Sequence, residues 1–133
     1  MVYGHPTWYA AQGYMVVIQD VRGRGTSTGE FRLFAHEAAD GAATVDWVAQ
    51  LPGSNGRVGM YGFSYQAMTQ LYAAAGRSPA LMTLCPAMVG YDLHQDWAYE
   101  GGAVFIGKAT WAGRSSWRRK RPDGGGTRRH FWP

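Results

Sequence analysis

At 133 residues the chain has room for one domain around one core, and 46% apolar with 17% charged residues is a globular composition, not a disordered or fibrous one. No apolar run approaches the roughly 20 residues of a helical membrane span, and the single cysteine, Cys85, excludes an intrachain disulfide framework and a zinc site built on several cysteines. The net charge of +4 is unevenly spread: residues 1–113 carry six basic against eight acidic side chains, while residues 114–133 carry seven basic side chains against Asp123 alone.

The elements alternate along the chain. The first residues, "MVYGHPTWYAAQGY", have neither a basic nor an apolar stretch of the signal-peptide kind. Pro6 to Gln12 is a predicted short helix, with Thr7 as its cap and Gly13 at its end. The run "YMVVIQD" (14–20) is apolar, β-branched and nearly continuous, the pattern of a strand buried on both faces. "VRGRGTSTGEF" is a glycine-rich loop. The spacing of Ala38, Ala42, Val45 and Ala49 predicts a helix over about 35–50, closed by the turn residues of "LPGSNG". "RVGMY" is a second predicted strand, "GFSYQA" turns into a helix reaching about Gly76, and "LMTLCPAM" is a third strand, in which Cys85 is expected as a small buried side chain. Helices alternating with buried strands over short connections define the α/β class with a parallel sheet.

Past about Lys108 the apolar period stops. "RSSWRRKRPDGGGTRRHFWP" is rich in Arg, Gly, Pro and Trp, all with G/C-rich codons, as an out-of-frame reading of a G/C-rich gene would be. The alternative is a basic tail that contacts nucleic acid or an anionic membrane. Residues 1–107 are therefore expected to form the domain and 108–133 a patternless basic tail.

One corner of this pattern carries chemistry. A serine hydroxyl is a poor nucleophile until a base takes its proton. Enzymes expose such a serine on a sharp strand-to-helix turn, where the helix N-terminus favours developing negative charge. "YGFSYQA" puts Ser64 at such a corner, with Gly62 two residues before it and Ala67 three after. The G-x-S-x-G spacing is only partly met, because Gln66 stands at the second glycine position. From these residues alone, Ser64 is either a nucleophile or a capping serine at a βα turn.

The wider pattern resembles the cocaine-esterase and X-prolyl dipeptidyl-peptidase family of α/β-hydrolases. An Asp-x-Arg-Gly-x-Gly-x-Ser-x-Gly loop is matched by Asp20, Arg22, Gly23, Gly25, Ser27 and Gly29. A Glu-Ala-x-Asp-Gly helix is matched by Glu37, Ala38, Asp40 and Gly41, and Gly-x-Ser-Tyr by Gly62, Ser64 and Tyr65. "CPAM" stands where the family ends its next strand, and Ala67 where it often has glycine. The resemblance implies a serine hydrolase of esterase, acylase or dipeptidyl-peptidase type, with Ser64 as the acyl-accepting nucleophile and the Tyr65 backbone N–H as an oxyanion donor. The substrate would be a small acyl ester or amide. No cofactor, metal, nucleic acid or membrane is expected, and a cytoplasmic location is the expectation. The Asp-Arg-Gly loop is expected to be structural, with Arg22 pairing an acidic neighbour. "YDLHQDWAYEGG" resembles the entry to the family's cap region, with His94 a pocket or structural residue.

The same resemblance implies partners not legible here. The family's triad continues, in chain order, with an acid and then a histidine far downstream. Asp123 and His130 fall in the patternless tail, and Tyr3 is too close to the first helix to serve as the second oxyanion donor. The family sheet also implies a strand between "YMVVIQD" and "RVGMY" that would end before residue 1. The expected fold is thus a partial α/β-hydrolase lacking N-terminal strands and the C-terminal half, inactive by itself. The alternative functions are a catalytically inactive remnant or a basic-tail nucleic-acid-binding module.

Overall fold

The computed structural model describes residues 4–110. Tyr3, Asp123, His130 and the expected basic tail beyond 110 lie outside the described residues.

Helix α1 spans Pro6–Ala11. His5, not Thr7, is its N-cap: the His5 ring accepts from the Thr7 N–H. Pro6 at the first helical position costs no hydrogen bond, because that N–H has no intrahelical acceptor anyway. Gly13 follows at φ 88°, the left-handed conformation that closes a helix end.

Residues 14–20 do not form the predicted strand. A strand exists only by pairing, and among the described residues nothing pairs with this segment: the sheet it was expected to join has just two strands, β1 (Val58–Phe63) and β2 (Leu81–Ala87). Ile18 and Tyr14 stand 78% and 66% exposed, so a run with the composition of a core strand faces outward. The run is as apolar as a core strand, but the partner that would turn hydrophobicity into a ladder is not among these residues.

Helix α2 spans Glu37–Ala49 and α3 spans Tyr65–Ala75. β1 and β2 are parallel, with Gly59 opposite Thr83 and Phe63 opposite Ala87, and α3 is the crossover between them, packed on both strands and on α2. The contact face of α2 follows the expected stripe except in its first turn. Val45 is buried as expected, but Ala38 is exposed, and the buried first-turn residue is Glu37. The two helices approach closely. A Cβ added at Gly41 would lie 2.8 Å from the Ala73 Cβ, and one at Gly76 would lie 2.5 Å from the Ala42 Cβ. Glycine and alanine at this seam let the backbones meet.

The core is small: Val45, Ala67, Met68 and Ala73 are its buried apolar side chains among the described residues. Cys85 is exposed, contrary to expectation. Successive residues of a strand point to opposite faces, and the half-buried Leu84 takes the covered side. Beyond β2, a π-helical turn (Leu93–Ala98) leads into a short antiparallel hairpin of β3 (Tyr99–Glu100) and β4 (Ala103–Val104). The described residues thus form a small parallel sheet with flanking helices, consistent with part of an α/β-hydrolase-like fold.

Candidate active site

The corner is built from both sides. Ser64 follows β1 directly and is the N-cap of α3, at φ 59° and ψ −116°. L-residues with a side chain rarely adopt that conformation, and holding one there costs about 1–3 kcal/mol. The strand side fixes it through the Ser64 N–H, which donates to Ala87 O at 3.0 Å. The helix side fixes it through the Ser64 carbonyl, which accepts from Ala67 N at 2.9 Å and Met68 N at 3.1 Å. The turn also needs Gly62: a Cβ there would collide with the Gln66 Cβ. Ala67 has no exposed surface and meets the need for a small residue on the helix side.

Ser64 occupies the N-cap position, and its hydroxyl makes no capping hydrogen bond to α3. Tyr65 is the first residue of α3, and the opening amides of a helix lack intrahelical acceptors. Its N–H therefore sits beside the serine at the positive end of the helix dipole.

Gln70 is a residue that the sequence pattern did not single out. It has no exposed surface, and its Oε1 accepts from Cys85 N at 3.0 Å while its Nε2 donates to Gln66 O at 3.1 Å. One α3 side chain thereby ties β2 to the first turn of the helix. The available signal was a glutamine at helical spacing between Ala67 and Ala73.

Glu37 enters the sequence pattern only as a motif match. It is 5% exposed, at the start of α2, and accepts a hydrogen bond from the Tyr65 hydroxyl. The Phe34 ring stacks on the Tyr65 ring at 4.9 Å and 19°. Burial, then the hydrogen bond to the Glu37 carboxylate, push the Tyr65 phenol well above the usual tyrosine range.

The Asp-Arg-Gly loop braces the scaffold. Arg22 Nε donates to Asp40 Oδ2 at 2.8 Å, and its Nη2 donates to the other oxygen, a two-point clamp from loop to α2. The bonded Asp40 raises the Arg22 guanidinium, and Arg22 holds the Asp40 carboxyl below the usual carboxylate range. Asp20 Oδ2 accepts from Thr26 N at 3.0 Å, and the Cβ of any residue but glycine at position 25 would collide with that carboxylate. A groove of about 550 Å³ lies between this loop, residues 17–19 and α2, walled by Val17, Ile18 and Trp47; Ser64 is not part of it.

Two of the three described histidines, His5 and His94, have ring contacts away from Ser64. The His5 ring bonds the Thr7 hydroxyl at 2.8 Å, and His94, exposed on the π-helical turn, lies 4.2 Å from the Tyr99 ring. His36 precedes α2. Among the described residues no histidine hydrogen-bonds to Ser64.

A parallel strand pair joined by a crossover helix, with a serine at the corner, is consistent with part of an α/β-hydrolase-like fold. Residues 2–132 match the family model of the X-Pro dipeptidyl-peptidase (S15 family), and the chain belongs to that family. It is 37% identical over 99 residues to the cocaine esterase of a Rhodococcus species, covering 74% of this chain and 17% of that protein. It is 34% identical over 96 residues to a protein of Mycobacterium bovis described as "Putative serine esterase", covering 71% of this chain and 15% of that one, and equally to a Mycobacterium tuberculosis protein of the same description. The chain thus spans about a sixth of the length of the curated relatives it matches.

Proposed function

We propose that this chain carries the nucleophile of a serine hydrolase that cleaves a small acyl ester or amide through an acyl-enzyme on Ser64. The observation that supports this most directly is the backbone of Ser64, φ 59° and ψ −116° between a parallel strand and its crossover helix. Strain of this kind persists only where the surroundings over-determine it, and such residues cluster at active sites. The relatives described as esterases, and the peptidase family, support the same reaction class.

In this reading the Ser64 Oγ attacks the substrate carbonyl carbon while its proton passes to a general base. The carbonyl oxygen gains negative charge and is met by the Tyr65 N–H at the start of α3. The carbon–oxygen or carbon–nitrogen bond then breaks, the leaving group takes the proton, and water later releases the acyl group from Ser64. The base and the acid that orients it are supplied by residues other than the described ones, within the complete gene product. The two-stranded sheet is then the central part of a larger α/β-hydrolase sheet, and residues 1–133 alone are inactive, because a triad without its base loses most of its rate.

The test is labelling by a fluorophosphonate probe. The complete gene product is expected to be labelled on the peptide that holds Ser64, and the Ser64→Ala variant not at all. Equal labelling of the variant would overturn the assignment. Residues 1–133 alone are expected to hydrolyse p-nitrophenyl butyrate no faster than their own Ser64→Ala control, and a Ser64-dependent burst would refute the dependence on further residues.

A further inference from the structure

We infer that Glu37 is a positioning residue for the reaction: through its hydrogen bond to the Tyr65 hydroxyl, it holds the Ser64–Tyr65 peptide at the angle at which the Tyr65 N–H meets the developing oxyanion. This inference rests on the assignment of Ser64 as nucleophile.

The first ground is the unusual site of the carboxylate. Glu37 is 5% exposed and joins Tyr65, 28 residues later in the chain. A buried carboxylate is costly unless it is hydrogen-bonded, and an apolar side chain at that place would pack against the aromatic rings without such a cost. Its position in the first turn of α2 offsets part of the cost through the helix dipole.

The second ground is where the bond acts. The restraints on the Ser64 backbone come from β2, through Ala87 O, and from α3 itself, through Ala67 and Met68. Both act on the Ser64 N–H and carbonyl. The Ser64 carbonyl and the Tyr65 N–H that would face the oxyanion belong to one planar peptide, so α3 holds that unit at its carbonyl, and the side chain of Tyr65 holds it at the Tyr65 Cα. That side chain is held at its hydroxyl by Glu37 and across its ring by Phe34. Phe34 is itself at φ 58°, so two strained residues, Phe34 and Ser64, are linked through one tyrosine. The Phe34 ring and the Glu37 carboxylate thus hold the Tyr65 side chain at two points, its face and its hydroxyl. Among the described residues the Glu37 carboxylate bonds the Tyr65 hydroxyl and makes no hydrogen bond to Ser64, so it acts through Tyr65.

The experiment measures kcat and KM for p-nitrophenyl butyrate on the complete gene product, with Glu37→Ala, Glu37→Gln, Tyr65→Phe and the double variant Glu37→Ala/Tyr65→Phe. Displacing an oxyanion donor acts on the transition state, so kcat falls while KM holds. Glu37→Ala and Tyr65→Phe are each expected to lower kcat about 10- to 100-fold with KM within about threefold. The double variant is expected to be no worse than the singles, because both remove one bond. Glu37→Gln, which keeps an acceptor for the phenol, is expected to stay within about threefold of the parent. Fluorophosphonate labelling of Ser64 should persist in all four. An unchanged kcat in soluble, folded Tyr65→Phe overturns the inference, as does a double variant with multiplied losses. Failure of the underlying assignment has a separate sign: an active Ser64→Ala variant, whatever the Glu37 series shows.

Discussion

Ser64 sits at φ 59°, where a Cβ is strained and glycine is not. Ser64→Gly is therefore expected to unfold in urea later than Ser64→Ala, by a stabilisation of about 1 kcal/mol after the entropy glycine gains in the unfolded chain is set against the relieved strain. Equal midpoints would mean the corner is relaxed. Tyr65 has a pH signature. Its folded-state phenol is raised above the unfolded value, so the neutral form favours folding, and the stabilisation is present below about pH 10 and lost as pH rises through the folded value. Urea stability is expected to fall above about pH 10 and to fall less steeply in Tyr65→Phe; parallel slopes would contradict it. The serine corner is legible in the sequence because Gly62, Ser64 and a strand-to-helix switch lie within a few residues. The Glu37–Tyr65 bond is not, because it joins positions 28 apart and depends on how α2 is rotated against α3.

At the scale of elements, the seam between α2 and α3 decides that rotation. Gly41→Ala improves helix propensity by about 1 kcal/mol, yet its Cβ would stand 2.8 Å from that of Ala73. Overpacking of this kind costs about 1–3 kcal/mol, so a net loss of about 1 kcal/mol is expected in urea unfolding. Adding Ala73→Gly should return most of it by removing the facing methyl; a double variant less stable than Gly41→Ala would place the clash elsewhere. All three helices and two of the three expected strands are readable from period and turn residues. The α2 stripe departs from expectation only in its first turn: Ala38 and Glu37 are neighbours in sequence, and it is Glu37 that faces inward. Cys85 departs from expectation because an apolar run of strand length does not say whether both faces are covered.

At the scale of the molecule, the described residues leave a broad apolar surface. Tyr14, Met15, Val17, Ile18 and Trp47 are all exposed, Val17, Ile18 and Trp47 along one groove, and exposed apolar patches drive association. Residues 1–133 alone are expected to self-associate with rising concentration, and Ile18→Lys to raise the monomer fraction in sedimentation velocity; no change would show that this surface is not what associates. The departure over residues 14–20 belongs to this scale as well. Their apolar run is legible, but a strand needs a neighbour, and the neighbour is a property of the sheet rather than of the segment.

The claim on which the rest depends is that Ser64 takes the acyl group. Mass spectrometry of the complete gene product, quenched in acid during turnover of p-nitrophenyl butyrate, tests it most directly. The account predicts a butyryl adduct on the peptide holding Ser64, and none on that peptide in Ser64→Ala. Turnover at the parent rate by Ser64→Ala, or a butyryl adduct on another residue that forms and decays at the turnover rate, would contradict it.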